Sequence, residues 1–437
     1  MSINHATALP SGRISRLFKL GKLATGVAAS ALNQGARQIG RSEKLSRTEL
    51  LLSPSNAERI AEELAQMRGA AMKVGQLLSM EAGDILPREL TDLLARLRDG
   101  AHAMPATQLE PRLAAAWGDR WRSRFRHFEE QPFAAASIGQ VHRAEDQQGR
   151  RLAIKIQYPG VAESIDSDVA NVATLLKVLK VLPAGFDIDP LLEIARLQLH
   201  DETDYEREAE QLRRYREQLR NNPVFQVPEV IDAFSGPGVL AMTFIEGNSI
   251  ETVAAMQPEL RDRLAEQLVD LCLREFLDWG VVQTDPNFAN FLYDEQSGTI
   301  GLLDFGALRE NAAGREQQLA RLLQAAMNRD LAAIIEAACD IGYLAPSDAF
   351  NDRLAVADLI QTAAEPALDP GVYDFAGSRL SQVMTDKMLQ MRDRLAFQRI
   401  PPEDVIFLHR KLAGIFLLCA RLHARVDVNR LVSRYLN

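Results

Sequence analysis

The amino-acid sequence predicts an α+β chain of two lobes, a small strand-containing lobe and a larger helical one, with a helical extension ahead of both. Three observations predict it. Apolar residues recur at helical spacing through roughly the first 128 positions. Period-two alternation replaces that pattern between Val141 and Gln157. From Ile250 the helical pattern returns, interrupted by a hairpin from Phe291 to Leu303. The expected segments are a basic arm (1–42), a helical extension (43–128), the smaller lobe with a helical insertion (129–246) and the larger lobe (247–437).

The 437 residues give room for two or three such bodies, and 47% hydrophobic with 25% charged residues excludes a wholly disordered chain. Net charge is −9, which argues against a dedicated nucleic-acid binder. The charge is unevenly placed. Residues 1–42 carry Arg13, Arg16, Lys19, Lys22, Arg37 and Arg41 and no acid, so this +6 within −9 leaves −15 on the rest. Cys272, Cys339 and Cys419 lie far apart without a C-x-x-C pair, which excludes a disulfide scaffold or zinc knuckle and fits buried thiols in a reducing compartment.

The arm reads RISRLFKLGKL, with Ile14, Leu17, Phe18 and Leu20 between its bases. Such a basic amphipathic helix suits an anionic lipid surface, and its Ala/Gly continuation equally suits packing on another helix. Its longest uncharged run, Leu23 to Ala36, has 14 residues, short of a membrane span. There is no compact apolar signal region, although an acid-free, Arg- and Ser-containing start also fits a mitochondrial presequence. Next, Ser55 and Glu58 form a capping box before Ile60, Leu64, Met67, Ala71, Val74 and Leu78, and Lys73 and Gln76 share a face of that helix. Helical signals continue through Leu90–Arg98 and Gln108–Phe125.

In the smaller lobe, Val141–Ala144 and Arg151–Gln157 read as a hairpin turning at Asp146–Gly149. Leu152, Ile154 and Ile156 point one way, so Lys155 points the other. Residues 161–220 are helical, ending in the charged run Asp201–Arg220, and extended pieces follow near 224–234 and 239–245.

The chemistry concentrates in three residues. In QTDPNFANFLYD, Asn290 follows Asp285 by five positions; a hairpin and LLDFG then supply Asp304, Phe305 and Gly306. D-x-x-x-x-N, a hairpin and D-F-G is the kinase catalytic-loop and metal-loop arrangement. One acid faces the attacking hydroxyl or water, while an amide oxygen and a second acid hold Mg²⁺ against phosphates. Lys155 in LAIK takes the place of the strand lysine that binds nucleotide phosphates, and Glu202, Asp204, Glu206 and Glu208 are candidates for its acidic partner. Three expected kinase features are absent. The segment before Lys155 has PFAAAS, with Ala134, Ala135, Ala136 and Ser137, in place of a glycine-rich loop. There is no A-P-E, and Thr284 precedes Asp285 where H-R-D has arginine.

These motifs, KVGQ, FAAAS, LAIK, ETD, QTDPNFANFLYD and LLDFG in order over about residues 55–310, resemble the ABC1/ADCK/UbiB atypical kinase-like family, and within it the Coq8 type. The resemblance implies a bilobal protein-kinase-like fold with a helical N-terminal extension carrying the KxGQ motif. It implies that Lys73 and Gln76 sit on a helix across the cleft, with Glu202 and Asp204 engaging that helix near the nucleotide. It makes Glu208 the partner of Lys155, Asp285 the catalytic-loop acid, and Asn290 and Asp304 the Mg²⁺ ligands. Ala134–Ser137 become an alanine-rich loop that alters nucleotide handling. The implied activity is that of a Mg-ATP-binding ATPase supporting ubiquinone biosynthesis at a membrane surface. Its expected partners are ATP or ADP, Mg²⁺, quinone-biosynthesis lipid intermediates, anionic lipid and other ubiquinone-biosynthesis proteins, with no nucleic acid. The expected location is cytoplasmic and peripheral to the inner membrane in a bacterium, or the mitochondrial matrix side in a eukaryote. Two alternatives stand beside it: a phosphotransferase acting on a small molecule or protein, and a nucleotide-sensing pseudokinase scaffold that binds lipid or biosynthetic proteins.

Overall fold

The computed structural model describes residues 69–71, 73–75, 103–136, 138–179, 188–285, 287–394 and 401–436. The basic arm, the Ser55–Glu58 capping box, Gln76, the Leu90–Arg98 helix and Ser137 lie outside them. The described residues fall into two compact units, one of those up to Arg214 with 229–244 and the other of 215–228 with those from Ile245 onward.

In the first unit, helix α1 (Ala106–Trp117) precedes an antiparallel sheet. Its strands are β1 (Phe125–Phe128), β2 (Ala134–Ala135), β3 (Gly139–Asp146), β4 (Arg151–Gln157) and β6 (Val239–Thr243). The order is β1-β3-β4-β6, with β2 also paired to β3. Lys155 is therefore central, opposite Val141 on one side and Leu240 on the other. Leu152, Ile154 and Ile156 join Leu109, Leu113, Trp121 and Phe125 in a buried core. Helices α2 (Val161–Leu179), α3 (Asp189–Glu202) and α4 (Tyr205–Gln218) follow.

One expectation fails here. Helix was predicted through Phe125, and the first 128 residues were expected to be all-helical. Instead α1 stops at Trp117, because Gly118 takes φ 83° and its N–H closes on the Ala114 carbonyl. A 3₁₀ turn (Trp121–Arg124) and strand β1 replace the helix. Trp121, Phe125 and Phe128 have helical spacing, which explains the misreading. A register shift between Phe125 and His127 lets both phenylalanines face inward from a strand.

The second unit contains a sheet ordered β5-β10-β9-β7, from β5 (Phe225–Gln226), β7 (Asn248–Ser249), β9 (Phe291–Asp294) and β10 (Thr299–Leu302). The predicted hairpin is β9–β10, turning over Asp294–Gly298. Helix α5 (Pro258–Arg274) runs into a π-helical turn (Glu275–Trp279), and Gly280 ends it in the left-handed region. The region after Ile250 holds more strand than expected: β8 (Val281–Gln283) pairs with β11 (Leu308–Glu310), and β12 (Tyr373–Asp374) with β13 (Arg425–Val426). Helices α6 (Arg315–Met327), α7 (Leu331–Ile341), α8 (Phe350–Ala363), α9 (Glu365–Leu368), α10 (Leu380–Arg394), α11 (Glu403–Arg421) and α12 (Val428–Ser433) supply the rest. None of the three cysteines forms a disulfide; Cys272 and Cys419 are buried and Cys339 half-buried. Among the described residues no helix is long and apolar enough to cross a membrane.

A buried polar chain ties the sheet to the segment leading into α1. The Met104 N–H donates to Gln140 Oε1 at 2.6 Å, and Gln140 Nε2 reaches His142 Nε2 at 2.7 Å. His142 Nδ1 meets the Glu129 carbonyl at 2.8 Å. These partners require a neutral imidazole protonated at Nδ1. Burial pushes the His142 pKa below its ordinary 6.5, outweighing the bond to Glu129. As pH falls below about 6.5, the unfolded chain binds a proton that the folded chain refuses, so stability falls with pH by up to about 1.4 kcal/mol per unit. Urea unfolding between about pH 7 and 5 should show this slope, reduced in His142→Gln. Equal slopes in the two proteins would exclude His142 as its source.

Candidate functional site

The first unit brings together two buried lysine–carboxylate pairs. Lys155 lies on the face of β4 opposite the aliphatic core, and that face is covered rather than wet. Its Nζ stands 2.8 Å from both carboxylate oxygens of Glu208 and 5.2 Å from the centre of the Tyr205 ring. Glu208 is 1% exposed, so its charge depends on this partner. Gln157, two residues along, donates to the Thr203 carbonyl at 3.1 Å, which fixes the start of α4 against the same face. Gly139 is required there: a Cβ would come within 2.4 Å of the Ile156 carbonyl oxygen and 2.9 Å of the Tyr205 hydroxyl.

The four candidate acids separate by role. Glu208 meets Lys155. Glu202, at the end of α3, accepts from Lys73 Nζ at 2.6 Å. Lys73 is 1% exposed, within helical residues 73–75. Asp204 is exposed and caps α4, its Oδ1 accepting from the Arg207 N–H at 2.9 Å. Glu206 is exposed. Ala134 and Ala135 form edge strand β2, paired with Val141 and Gln140. The Ala136 N–H bonds the Gly139 carbonyl at 2.9 Å, closing a tight turn. Because Ala134 pairs with Val141 and Val141 with Lys155, these three stand in one cross-strand row.

The second unit brings Asp285, Asn290 and Asp304 together. Asn290 Nδ2 donates to the Asp285 carbonyl at 3.3 Å, and the Leu303 N–H donates to the Asn290 carbonyl at 3.0 Å. Gln283 Nε2 donates to the Asp285 carbonyl at 2.9 Å and to the Asp304 carbonyl at 3.2 Å. Thr284 Oγ1 donates to the Ala307 carbonyl at 2.7 Å, and the Gly306 N–H holds Asp304 Oδ1 at 3.0 Å. The donor types suit a hard cation: Asn290 offers an amide oxygen and Asp304 a carboxylate, the oxygen chemistry Mg²⁺ requires. Among the described residues no cluster of three or more His, Cys, Asp or Glu could hold a metal by itself. A metal here therefore needs further ligands from phosphate and water, the usual state of Mg²⁺ in nucleotide sites.

Behind these loops lies a buried triad that the sequence did not reveal. Tyr215 OH donates to Glu275 Oε1 at 2.6 Å, and Lys411 Nζ stands 2.9 Å from Glu275 Oε2. Burial pushes the Glu275 carboxyl above its ordinary range, against the opposing pull of Lys411 and Tyr215. Tyr215 packs on Phe305, ring centres 5.0 Å apart, so the triad abuts the D-F-G loop. No local pattern marks Glu275 or Lys411. Gln283 stood within QTDP, where its signal was position alone.

Comparison with known proteins follows the same lines. Residues 96–338 match the model of the ABC1 atypical kinase-like domain. The mitochondrial atypical kinase COQ8 of Saccharomyces cerevisiae is 38% identical over 431 residues, covering 98% of this chain and 85% of the yeast protein. Mitochondrial atypical kinase COQ8B of Rattus norvegicus is 38% identical over 423 residues, covering 96% and 79%. Among solved structures, Rv3197 of Mycobacterium tuberculosis, determined in complex with erythromycin, aligns with a TM-score of 0.60 at 26% identity, covering 87% of this chain and 95% of that one.

The Lys155–Glu208 geometry makes an energetic prediction. Removing one partner of a buried pair strands the other charge and costs about 3–5 kcal/mol, whereas removing both is much milder. Lys155→Met should therefore destabilise strongly in denaturant titrations, and adding Glu208→Gln should recover about half of the loss or more. Additive losses in the double variant would contradict the pairing.

Proposed function

The chain belongs to the ABC1 atypical kinase-like family, and we propose that it is a Mg-ATP-binding ATPase that supports ubiquinone biosynthesis at a membrane surface. The kinase-like fold and the Coq8 resemblance expected from the motifs agree with the family match and with the relatives named atypical kinases. The observation that carries the functional reading is the bonding of Asp285, Asn290 and Asp304 into one constellation.

Each residue contributes what its surroundings allow. Lys155, oriented by Glu208, presents a compact positive charge to nucleotide phosphates. Asn290 and Asp304 hold Mg²⁺, which when bound neutralises charge building on the phosphates. Asp285 orients the attacking water and accepts its proton. Lys73, clamped by Glu202, and Gln76 belong to the extension that restricts which acceptor reaches the phosphates. Asp204 holds the start of α4 and thereby the placement of Glu208. Ala134, Ala135, Ala136 and Ser137 give the nucleotide a stiffer neighbour than a glycine loop offers.

The basic residues of 1–42 suit anionic lipid, which supports a peripheral location and access to lipid-soluble quinone precursors. The mitochondrial relatives support the matrix side if the source is eukaryotic; a bacterial protein would act at the inner membrane. Phosphoryl transfer to another hydroxyl uses the same residues and remains the second reading, favoured by a relative from Dictyostelium discoideum named a probable serine/threonine-protein kinase.

Asp285→Asn should lower ATP-dependent phosphate release by about 100-fold or more while leaving nucleotide affinity within about threefold. Phosphate-release kinetics and fluorescent-nucleotide binding measure the two separately. Unchanged turnover in the variant would sink the assignment.

A further inference from the structure

We propose that Gln283 is a positioning residue that sets the Asp304 loop against the Asp285 loop and so tunes Mg²⁺ use; this rests on the reading of Asp304 and Asn290 as metal ligands. Backbone pairing already joins the two segments. Gln283 lies opposite Leu308 in the β8–β11 ladder, and the Thr284 N–H and hydroxyl both bond the Ala307 carbonyl. The Gln283 side chain adds bonds aimed at the two acids themselves. One Nε2 group reaches the carbonyl of Asp285 at 2.9 Å and that of Asp304 at 3.2 Å.

This fixes the amide. Turning it over would set Oε1 against two carbonyl oxygens, so the donor end must face the loops. The acceptor end is then placed at a disadvantage: Oε1 is buried without a hydrogen-bond partner, on a residue 5% exposed. A methionine of the same length would fill the space without that cost. Gln283 also lines a small pocket with Asn290, Asp304, Phe305, Tyr215 and Lys411. Its amide thus acts through the backbone on Asp304, a proposed metal ligand, and on Asp285, whose carbonyl Asn290 Nδ2 also reaches.

The test is a Mg²⁺ titration of the full-length chain, read by trinitrophenyl-ATP fluorescence and by phosphate release. Gln283→Met removes both N–H donors at constant length, and Gln283→His keeps one. Outer groups that orient metal ligands change metal affinity by about 10- to 100-fold. We expect a rise of about tenfold in half-saturating Mg²⁺ for Gln283→Met, a smaller rise for Gln283→His, and Mg²⁺-free nucleotide affinity within about twofold of wild type. A merely structural glutamine would lower the folded fraction without moving the Mg²⁺ midpoint. Folded variants with a wild-type midpoint would overturn the positioning role while sparing the functional reading. If Gln283→Met fails to fold, an unshifted midpoint in Gln283→His overturns it alone. Wild-type nucleotide binding and turnover indifferent to Mg²⁺ would overturn both together.

Discussion

Buried charge that must be paired is the constraint on which the rest of this protein depends. Among the described residues, Lys73, Lys155 and Lys411 are all buried, and each meets a carboxylate: Glu202, Glu208 and Glu275. A lysine in such a place loses hydration that a single well-placed carboxylate must offset. The pairing dictates neighbouring structure. It requires the end of α3 to face residues 73–75, α4 to cover the outer face of β4, and α11 to reach the turn after α5.

Local devices serve that arrangement. Asp204 begins α4 at the position that carries Glu208 one turn later, so the cap and the ion pair belong to one construction. Gly139 permits the close approach of Tyr205 to the sheet. In the second unit the backbone carbonyls of Asp285 and Asp304 converge on one amide, and Tyr215 joins Glu275 to the Phe305 ring.

The legible part of the molecule was the part encoded by short-range spacing. Alternation around Lys155 revealed its strand and its face, and the five-position step from Asp285 to Asn290, with D-F-G after it, revealed the loops. The capping role of Asp204 was within reach, because an acid followed by a helical run is a local signal. β1 was misread because Trp121, Phe125 and Phe128 have helical spacing, and only pairing with β3, with its register shift, makes them a strand. Glu275, Tyr215 and Lys411 were invisible because their meeting is tertiary: each belongs to a different element with an ordinary local pattern. Which of Glu202, Asp204, Glu206 and Glu208 meets Lys155 was likewise a question of helix phase, and the family resemblance, not spacing, singled out Glu208.

We propose that nucleotide chemistry at Asp285 serves ubiquinone biosynthesis. The most direct measurement is quinone content, by mass spectrometry, in cells that lack their own protein of this family and express either the wild-type chain or Asp285→Asn at matched levels. Wild type should restore ubiquinone, and the variant should leave early precursors accumulated. Equal restoration by the two would contradict it and leave the chain a nucleotide-binding scaffold whose turnover does not matter.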